Sequence, residues 1–231
     1  MIIEKGIVVS CQAREGNPLK SPDMMATMAA AAELGGAVGI RADGVADISA
    51  IRKRVKIPII GINKRYDSTH RIVITPDFDS AAEVVAVGAD IIALDATFQE
   101  SDIRADVGET ISRIKKELGV PVMADISTLE EAERAASYGA DLISTTLNGY
   151  LPGKEYPHDE KYIPNLALIE KIIESPLVKC PVIGEGRFWH AEHIRAAFEL
   201  GVHALVIGKA ITNPIASTEF FVTAARTKTK G

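Results

Sequence analysis

Cysteine is scarce in this sequence, and the two that occur are not arranged as a disulfide or a metal site would require. Cys11 and Cys180 show no C-x-x-C spacing and have no cluster of histidines beside them. A structural disulfide and a thiolate metal site are therefore disfavoured. A chain that relies on neither is typical of the reducing cytoplasm, which is the location we expect.

Long hydrophobic runs and an excess of basic charge are absent as well. The formal net charge is −5, so the chain shows no electrostatic footprint for nucleic acid. No segment approaches the ~18 uncharged apolar residues of a membrane helix. The N-terminal residues include an early acid, Glu4, and do not follow the layout of a signal peptide. We expect neither nucleic acid nor a membrane as a partner.

What the sequence does contain is a regular series of short apolar runs that alternate with helical patterns. The runs are continuous, as in parallel strands that are covered on both faces. There are eight of them, at residues 6–13, 37–42, 57–64, 90–97, 121–128, 141–148, 181–187 and 204–211. Several of the intervening helices are expected to start at a capping residue and to stop at a glycine. The expected starts are Ser21, Asp79 and Ser127, the last in a capping box with Glu130, and the expected ends are Gly35, Gly88 and Gly201.

The segments that introduce the strands form an internal repeat. Four strands follow a helix-ending glycine motif such as VGADIIAL, three follow a motif such as VKIPIIGI, and the two types alternate from the second strand to the eighth. Eight units of this regularity predict one closed (β/α)₈ TIM barrel of the α/β class, with residues 1–231 forming a single domain. An open doubly wound sheet is the alternative, but its first turn should carry a glycine fingerprint that is missing here.

Two connections are longer than the fold needs. One, RYDSTHRIVITP, follows the third strand at residues 65–76, and the other, NGYLPGKEYPHDEKYIPN, follows the sixth at residues 148–165. Both lead from a strand to a helix, which places them at the catalytic end of a barrel. We interpret them as lids or substrate-binding loops, with a tolerated surface insertion as the alternative.

In a barrel enzyme the functional side chains lie at the carboxyl ends of the strands. The polar residues predicted there include Gln12, Arg41, Asp43, Asn63, Lys64, Arg65, Asp95, Thr97, Asp125, Ser127, Thr145, Thr146, Asn148, Glu185, Arg187 and Lys209. None of the five histidines lies at such an end. A metal site built from histidine and carboxylate ligands is therefore disfavoured.

Glycine turns after the seventh and eighth strands, GEGR and IGKAI, are placed where barrels of the phosphate-binding type hold their anion. Gly186 and Gly208 allow backbone N–H groups to approach an anion closely. Arg187 and Lys209 add positive charge beside them. The turns predict a phosphate site, and the alternative is that the glycines serve the geometry of the turns alone.

Lys64 lies just beyond an apolar run, residues 57–62, that ends in Asn63, Lys64 and Arg65, and lysine is among the residues least often buried. A neutral amine there could remove a proton next to a carbonyl if its pKa of ~10.4 were lowered by burial or by cations such as Arg65 and Arg41. Glu185 is expected across the mouth, as a second base or as a group that polarises the substrate. The alternatives are a solvated lysine, a structural ion pair at the rim, and a Schiff-base lysine of an aldolase or related lyase.

The motifs IGINKRY, ALDAT, MADIST, GADLISTTLNGYLPG and VIGEGR resemble the N-acetylmannosamine-6-phosphate 2-epimerase family of bacterial sialic acid catabolism, nearly from end to end of the chain. The resemblance implies an isomerase that exchanges a proton at carbon 2 of an amino-sugar phosphate without a metal or an organic cofactor. The family's catalytic lysine and its partner glutamate fall on Lys64 and Glu185. The substrate-binding positions fall on Gln12, Arg41, Asp95, Asp125, Thr145 and Tyr150, and the phosphate turns on Gly186, Arg187, Gly208 and Lys209.

The chain departs from the family pattern at two positions. Lys209 stands where many relatives carry a small residue, and Asn213 stands where an arginine is common, so we expect Lys209 to supply that charge toward the phosphate. Because carbon 2 bears the acetamido group, a Schiff base is not required and the lyase becomes less favoured. A non-catalytic phosphosugar sensor would keep the phosphate turns but would need neither Lys64 nor Glu185.

Barrel enzymes of this kind are often homodimers, and a homodimer is expected here. The methionine- and alanine-rich first helix, residues 24–35, would suit an interface, although core packing explains its composition equally well.

Overall fold

Eight parallel strands close into a barrel in the computed structural model, which describes residues 3–150 and 160–226. Each strand pairs with its sequence neighbours, and the first pairs with the last, so the (β/α)₈ topology is confirmed and an open sheet is excluded. Each predicted apolar run coincides with one barrel strand, and only β2 extends beyond its run, by one residue. The strands are β1 Gly6–Cys11, β2 Gly39–Asp43, β3 Ile59–Ile62, β4 Ile91–Asp95, β5 Val122–Asp125, β6 Leu142–Ser144, β7 Val182–Glu185 and β8 Ala204–Ile207.

Helices surround the barrel, and three of the expected boundaries are confirmed. The Ser21 side chain accepts a hydrogen bond from the N–H of Met24 at the start of the first helix, which ends before Gly35, and Gly201 follows the seventh helix with φ of 106°. The helices are α1 Pro22–Leu34, α2 Val45–Arg52, α3 Phe78–Val85, α4 Val107–Arg113, α5 Leu129–Ser137, α6 Leu166–Glu174, α7 Ala191–Leu200, α8 Lys209–Thr212 and α9 Pro214–Arg226. A π-helical turn, Ile114–Leu118, extends α4, and a 3₁₀ turn lies at Glu160–Tyr162.

Other predicted boundaries were wrong by a few residues. Helix α3 is capped by Asp77, whose carboxylate accepts a 2.7 Å hydrogen bond from the N–H of Ser80, and Asp79 already lies inside the helix. The same helix ends at Val85, before the expected Gly88.

In α5 the capping box was predicted one residue too early. It consists of Thr128 and Glu131, in place of Ser127 and Glu130. The carboxylate of Glu131 also accepts hydrogen bonds from the N–H and hydroxyl of Ser127, both at 2.7 Å, so both hydroxyl residues contact the same acid. Sequence spacing alone does not separate the two pairs.

Alternation along the strands divides the apolar residues between the barrel interior and the surface that packs against the helices. The interior cluster includes Val8, Ile60, Ile62, Ile91, Ala93, Met123, Leu142, Ile183, Ala204 and Val206. Residues two or four positions further along each strand also face inward, and they lie nearer the carboxyl ends of the strands. Those positions carry polar side chains on most strands. The fold therefore brings a ring of polar groups to one end of an apolar core.

The first long connection is a β-hairpin, which the sequence did not predict. Lys64–Tyr66 pair antiparallel with Ile72–Ile74, and Lys64 lies opposite Ile74. Asp67 stabilises the turn, because its carboxylate accepts hydrogen bonds from the N–H groups of Thr69 and Arg71 at 3.0 and 2.9 Å. Most of the second long connection, residues 151–159, lies outside the described residues. Among the helices that the structure describes, none combines the length and apolarity needed to cross a membrane.

Candidate active site

Arg41 occupies the centre of the polar ring at the barrel mouth. It points inward from β2, is 1% exposed, and forms a two-pronged ion pair with Asp125 of β5, with N–O distances of 2.5 and 3.0 Å. Its Nη1 also lies 3.0 Å from Oε2 of Glu185, on β7. Burial disfavours the charge, but the two carboxylates outweigh burial and hold the pKa of Arg41 above its ordinary value. Arg41 therefore clamps Asp125 and Glu185 together at the barrel mouth.

Thr146 completes this clamp; it was predicted at a strand end but was not assigned a role in catalysis or substrate binding. Its hydroxyl lies 2.6 Å from Oδ1 of Asp125 and 2.9 Å from Oε2 of Glu185, and it accepts from Arg41 at 3.2 Å. Thr145, which the resemblance placed in the sugar pocket, accepts a hydrogen bond from the N–H of Glu185 and donates to its carbonyl, at 2.9 and 3.0 Å. Leu142 is an interior residue, so the alternation of β6 indicates that Thr146 faces inward and Thr145 does not.

Glu185 presents one carboxylate oxygen to the barrel mouth. Oε2 is held by Arg41 and Thr146, whereas Oε1 has no hydrogen-bond partner among residues 3–150 and 160–226. Burial raises the pKa of Glu185, as does the neighbouring Asp125, while Arg41 opposes the shift. The side chain is still 17% exposed, so a ligand can reach it. A carboxyl group that keeps its proton to higher pH than usual can donate a hydrogen bond or a proton at Oε1.

Lys64 lies at the same end of the barrel, in the first strand of the hairpin. Its Nζ is 3.5 Å from Oδ2 of Asp43 and donates a hydrogen bond to Oε1 of Gln12. Burial lowers the pKa of Lys64, Asp43 opposes that shift, and the cations Arg41 and Arg14 lower it further. An amine in this setting loses its proton below the pH at which an exposed lysine does.

The expected influence of Arg65 on Lys64 was wrong. Neighbouring residues of a strand point to opposite sides, and Arg65 is directed outward, where its guanidinium pairs with Glu83 at 2.6 Å. The cations that lower the pKa of Lys64 are Arg41 and Arg14. The effect of Arg14 was not predicted, because this residue lies in the loop after β1, three residues beyond the end of the strand.

Gln12 was expected in the site and contacts the lysine directly. Its amide nitrogen donates to the hydroxyl of Ser10 at 2.8 Å, which turns the amide oxygen toward Nζ of Lys64. Cys11, between these two residues, faces the helices and is buried in the outer apolar cluster. Burial raises the pKa of the Cys11 thiol to about 12, so this cysteine is a packing residue and a poor nucleophile.

Asp95 and Tyr150 were also expected to bind substrate. Asp95 is buried and pairs with Arg104 at 3.0 Å and with Arg71 of the hairpin at 3.8 Å. It thereby fastens the hairpin and the β4–α4 connection to the tip of β4. Tyr150 is 52% exposed at the edge of the described residues.

Of the two glycine turns, the one at Gly186 is open on the side where a Cβ would stand, whereas a Cβ on Gly208 would lie 3.2 Å from Cβ of Ser10. Gly186 has φ of 106°, and a Cβ built on it would meet no atom within 4 Å. The guanidinium of Arg187 donates to the carbonyl of Ile163 at 2.7 Å and to Oδ1 of Asn148 at 3.3 Å, which ties this turn to the β6–α6 connection. Gly208 precedes the short helix α8.

Two cations from other parts of the chain, Arg14 and Lys161, act on Lys209, the residue that follows Gly208 at the start of α8. Burial lowers the pKa of Lys209, and Arg14 and Lys161 lower it further, whereas Glu219 opposes them. In the described part of the chain, no carboxylate forms an ion pair with Lys209, Arg14 or Lys161. A dianion would relieve this mutual repulsion. The described residues also contain no group of three histidine, cysteine or acidic side chains that could hold a metal ion.

Comparisons with known proteins agree on one family. The family model described as "NanE: Putative N-acetylmannosamine-6-phosphate epimerase" matches residues 25–227. A protein of Caldanaerobacter subterraneus subsp. tengcongensis named "Putative N-acetylmannosamine-6-phosphate 2-epimerase" is 48% identical over 96% of this chain and 91% of its own length. A protein of the same name from Cutibacterium acnes is 45% identical over 96% of this chain and 94% of its own.

Solved structures show the same likeness. The structure of the N-acetylmannosamine-6-phosphate 2-epimerase from Clostridium perfringens matches with a TM-score of 0.88 and 38% identity, over 96% of this chain and 94% of its own. A thiamine phosphate pyrophosphorylase from Pyrococcus furiosus, at 19% identity and a TM-score of 0.59 over 92% of this chain and 90% of its own, shares the fold alone. The family resemblance that the motifs indicated is confirmed.

The clamp at Arg41 makes a prediction about stability. Asp125→Ala should lower the free energy of unfolding by about 3–5 kcal/mol, because it leaves a buried guanidinium with one carboxylate fewer. Asp23→Ala is the matched control, since it removes the exposed 3.0 Å pair with Arg54 and should change stability by less than about 1 kcal/mol. Urea unfolding of both variants measures the difference. Similar small losses in the two would contradict a buried clamp.

Proposed function

The chain belongs to the N-acetylmannosamine-6-phosphate epimerase family and is an isomerase, and on that premise we propose that it interconverts N-acetylmannosamine 6-phosphate and N-acetylglucosamine 6-phosphate. In this proposal Lys64 removes the proton at carbon 2, and Glu185 is its partner. The observation that carries the proposal is the position of Lys64, whose amine lies at the barrel mouth with a pKa lowered by burial and by two cations.

The chemistry follows from the acidity of carbon 2. In the ring-opened sugar this carbon lies beside a carbonyl, so removal of its proton places negative charge on the carbonyl oxygen. The neutral amine of Lys64 accepts the proton, and the Glu185 carboxyl faces the developing charge with Oε1. Return of a proton to the other face of carbon 2, from the Glu185 carboxyl in a two-base reaction or from the Lys64 ammonium group in a one-base reaction, gives the epimer. No step is assigned to a metal or an organic cofactor.

The clamp explains how Glu185 keeps this orientation. Arg41 and Thr146 fix Oε2, and the Thr145 hydroxyl bridges the N–H and the carbonyl of the same residue. Pre-positioned groups of this kind lose little orientational freedom when substrate binds. We propose that Gln12 and Asp125 support the site in the same way, through Lys64 and Arg41 respectively.

The phosphate is proposed to bind at the turns after β7 and β8. Gly186 leaves open space beside its backbone. Lys209 is exposed, the charges of Arg14 and Lys161 lower its pKa, and it has no carboxylate partner among the described residues. The dianion would contact this group of cations and the N–H groups of the turns. Lys209 would then supply the charge that an arginine supplies in relatives.

Proton exchange at carbon 2 tests the proposed reaction. In heavy water, the enzyme should transfer deuterium to carbon 2 of N-acetylmannosamine 6-phosphate, which NMR of the sugar detects. Lys64→Met should slow this exchange by at least about 100-fold, the lower range for loss of a general base. Glu185→Gln keeps the shape of the side chain but removes its proton transfer, and exchange without epimerisation in this variant would identify two bases.

Two results would contradict the assignment. Exchange that survives in Lys64→Met would remove Lys64 from the role of base. A covalent adduct at Lys64 after borohydride treatment with substrate would replace proton exchange with Schiff-base chemistry.

The phosphate site makes a separate prediction. Lys209→Ala should raise KM for the phosphorylated substrate by roughly 10-fold, because it removes a charge-assisted hydrogen bond to the dianion, and kcat should change less. Lys179→Ala is the matched control, since this exposed lysine precedes β7 at the opposite end of the barrel. An unchanged KM in Lys209→Ala would exclude Lys209 from the phosphate site.

We propose a homodimer in the cytoplasm, and the two free cysteines are consistent with that compartment. Helix α1 buries Met25, Ala26 and Ala29 in the core, which accounts for much of its apolar composition. The exposed apolar surface of α8 and α9 is a better interface, since Ile211 and Phe221 are 51% and 67% exposed.

The oligomeric state tests this interface. Light scattering on a sizing column should give twice the mass of one chain for the native protein, and Phe221→Glu should reduce it toward the monomer, because a charge would have to be buried in an apolar contact. Leu34→Glu, on the 91% exposed end of α1, is the control and should stay dimeric. A native monomer, or dissociation by Leu34→Glu alone, would contradict the proposal.

A further inference from the structure

We propose that Asp43 is a positioning residue for Lys64, because its two carboxylate oxygens hold the backbone N–H and the side-chain amine of this lysine at once. The inference rests on the proposed function, in which Lys64 is the base. Asp43 lies at the end of β2 and did not emerge from the sequence as a site residue, although it occupies a strand end. Its contacts in the structure assign it this role.

The backbone around Asp43 is fixed by the barrel. Asp43 lies opposite Ile62 in the pairing of β2 with β3, and the next residue, Gly44, donates its N–H to the carbonyl of Ile62 at 2.8 Å. Arg41 faces inward from the same strand, so Asp43, two residues later, faces inward nearer the mouth. On the neighbouring strand, Lys64 likewise comes two residues after the interior residue Ile62 of β3. The two side chains therefore meet at the carboxyl ends of adjacent strands.

The contacts join one carboxylate to two parts of one residue. Oδ1 of Asp43 accepts the N–H of Lys64 at 3.0 Å, and Oδ2 lies 3.5 Å from Nζ. The backbone bond fixes the start of the lysine side chain and the second contact holds its end. A lysine side chain has four rotatable bonds and loses much freedom when ordered, so restraint at both ends aims the amine effectively.

Gln12 restrains the amine from the other side. Its amide oxygen accepts a hydrogen bond from Nζ, and its amide nitrogen is held by Ser10. An ammonium group has three donors, and these two contacts leave one direction for substrate. Asp43 differs from Gln12 because it carries charge. It therefore affects both where the amine lies and how firmly it holds its proton.

Four charged groups surround Lys64, and they act in opposite directions. Arg41 on β2 and Arg14 after β1 disfavour the ammonium form, as does burial, whereas Asp43 favours it. The carboxylate of Glu185 on β7 also interacts favourably with the charged lysine. Removal of the Asp43 charge should therefore lower the pKa of Lys64 further. The neutral, basic form of the amine would then be available at lower pH.

The test is the pH dependence of kcat/KM in Asp43→Asn, which keeps the side-chain shape and an oxygen for the Lys64 N–H. The acidic limb of the profile should move to lower pH by roughly one unit. Asp43→Glu retains the charge but displaces it, so its limb should stay near that of the native enzyme while kcat falls about 10-fold from misalignment. Glu83→Gln, which removes the carboxylate beside the outward-facing Arg65, is the control and should not move the limb.

A second readout does not depend on the reaction. The rate at which an amine-reactive acylating reagent labels Lys64, followed by peptide mass spectrometry across pH, should show the same downward shift in Asp43→Asn. A loss of activity with an unmoved limb and unmoved labelling would reduce Asp43 to a structural residue and overturn the proposal. If the native protein lacks epimerase activity while the labelling of Lys64 still shifts in Asp43→Asn, the proposed function is contradicted. The contact between Asp43 and Lys64 would then still stand.

Discussion

The buried pairing of Arg41 with Asp125 and Glu185 is the interaction on which the site depends. Two carboxylates from β5 and β7 could not stay ionised in the barrel interior without a counter-charge, and a guanidinium without acceptors would be equally unfavourable there. Arg41, at 1% exposure, satisfies both acids with its two terminal nitrogens. The clamp thus links β2, β5 and β7 across the mouth and fixes the orientation of Glu185.

The same mouth holds a second cation whose charge is less well satisfied. Asp125 makes a two-pronged ion pair with Arg41, whereas Lys64 has one carboxylate at 3.5 Å and a neutral amide. Arg41 even disfavours the charge on Lys64. One strand, β2, supplies both the cation that disfavours this ammonium group and the carboxylate that favours it, through Arg41 and Asp43. This balance accounts for a lysine that is ordered and yet able to release its proton.

Much of the fold followed from the sequence, because continuous apolar runs and helix-ending glycines are local signals of parallel strands and of αβ turns. The ring of polar residues at strand ends followed from the same topology. The arrangement within that ring did not. Arg41 lies 84 residues from Asp125 and 144 from Glu185 along the chain, and no local pattern indicates that they pair.

Several predictions were displaced by one or two residues, because the sequence offered two neighbouring candidates for one role. Thr145 and Thr146 directly follow β6 and differ in which way their side chains point, and Lys64 and Arg65 differ in which side of the hairpin strand they face. Counting alternate residues from a known interior residue would have shown which member of each pair points inward. The sequence motifs contain both members and do not show which way either side chain points. The caps of α3 and α5 shifted because two candidate side chains lie within two residues of each other.

The claim that the barrel mouth makes Lys64 a usable base is tested most directly by titration of that side chain. NMR of lysine labelled with ¹³C at Cε, with Lys64 assigned by its absence in Lys64→Met, follows the charge of the amine across pH. Titration below the ordinary ~10.4 is the result that burial and the two neighbouring cations predict. A midpoint at or above that value would show that Asp43 and Glu185 hold the proton in place, and would contradict the assignment of Lys64 as the base.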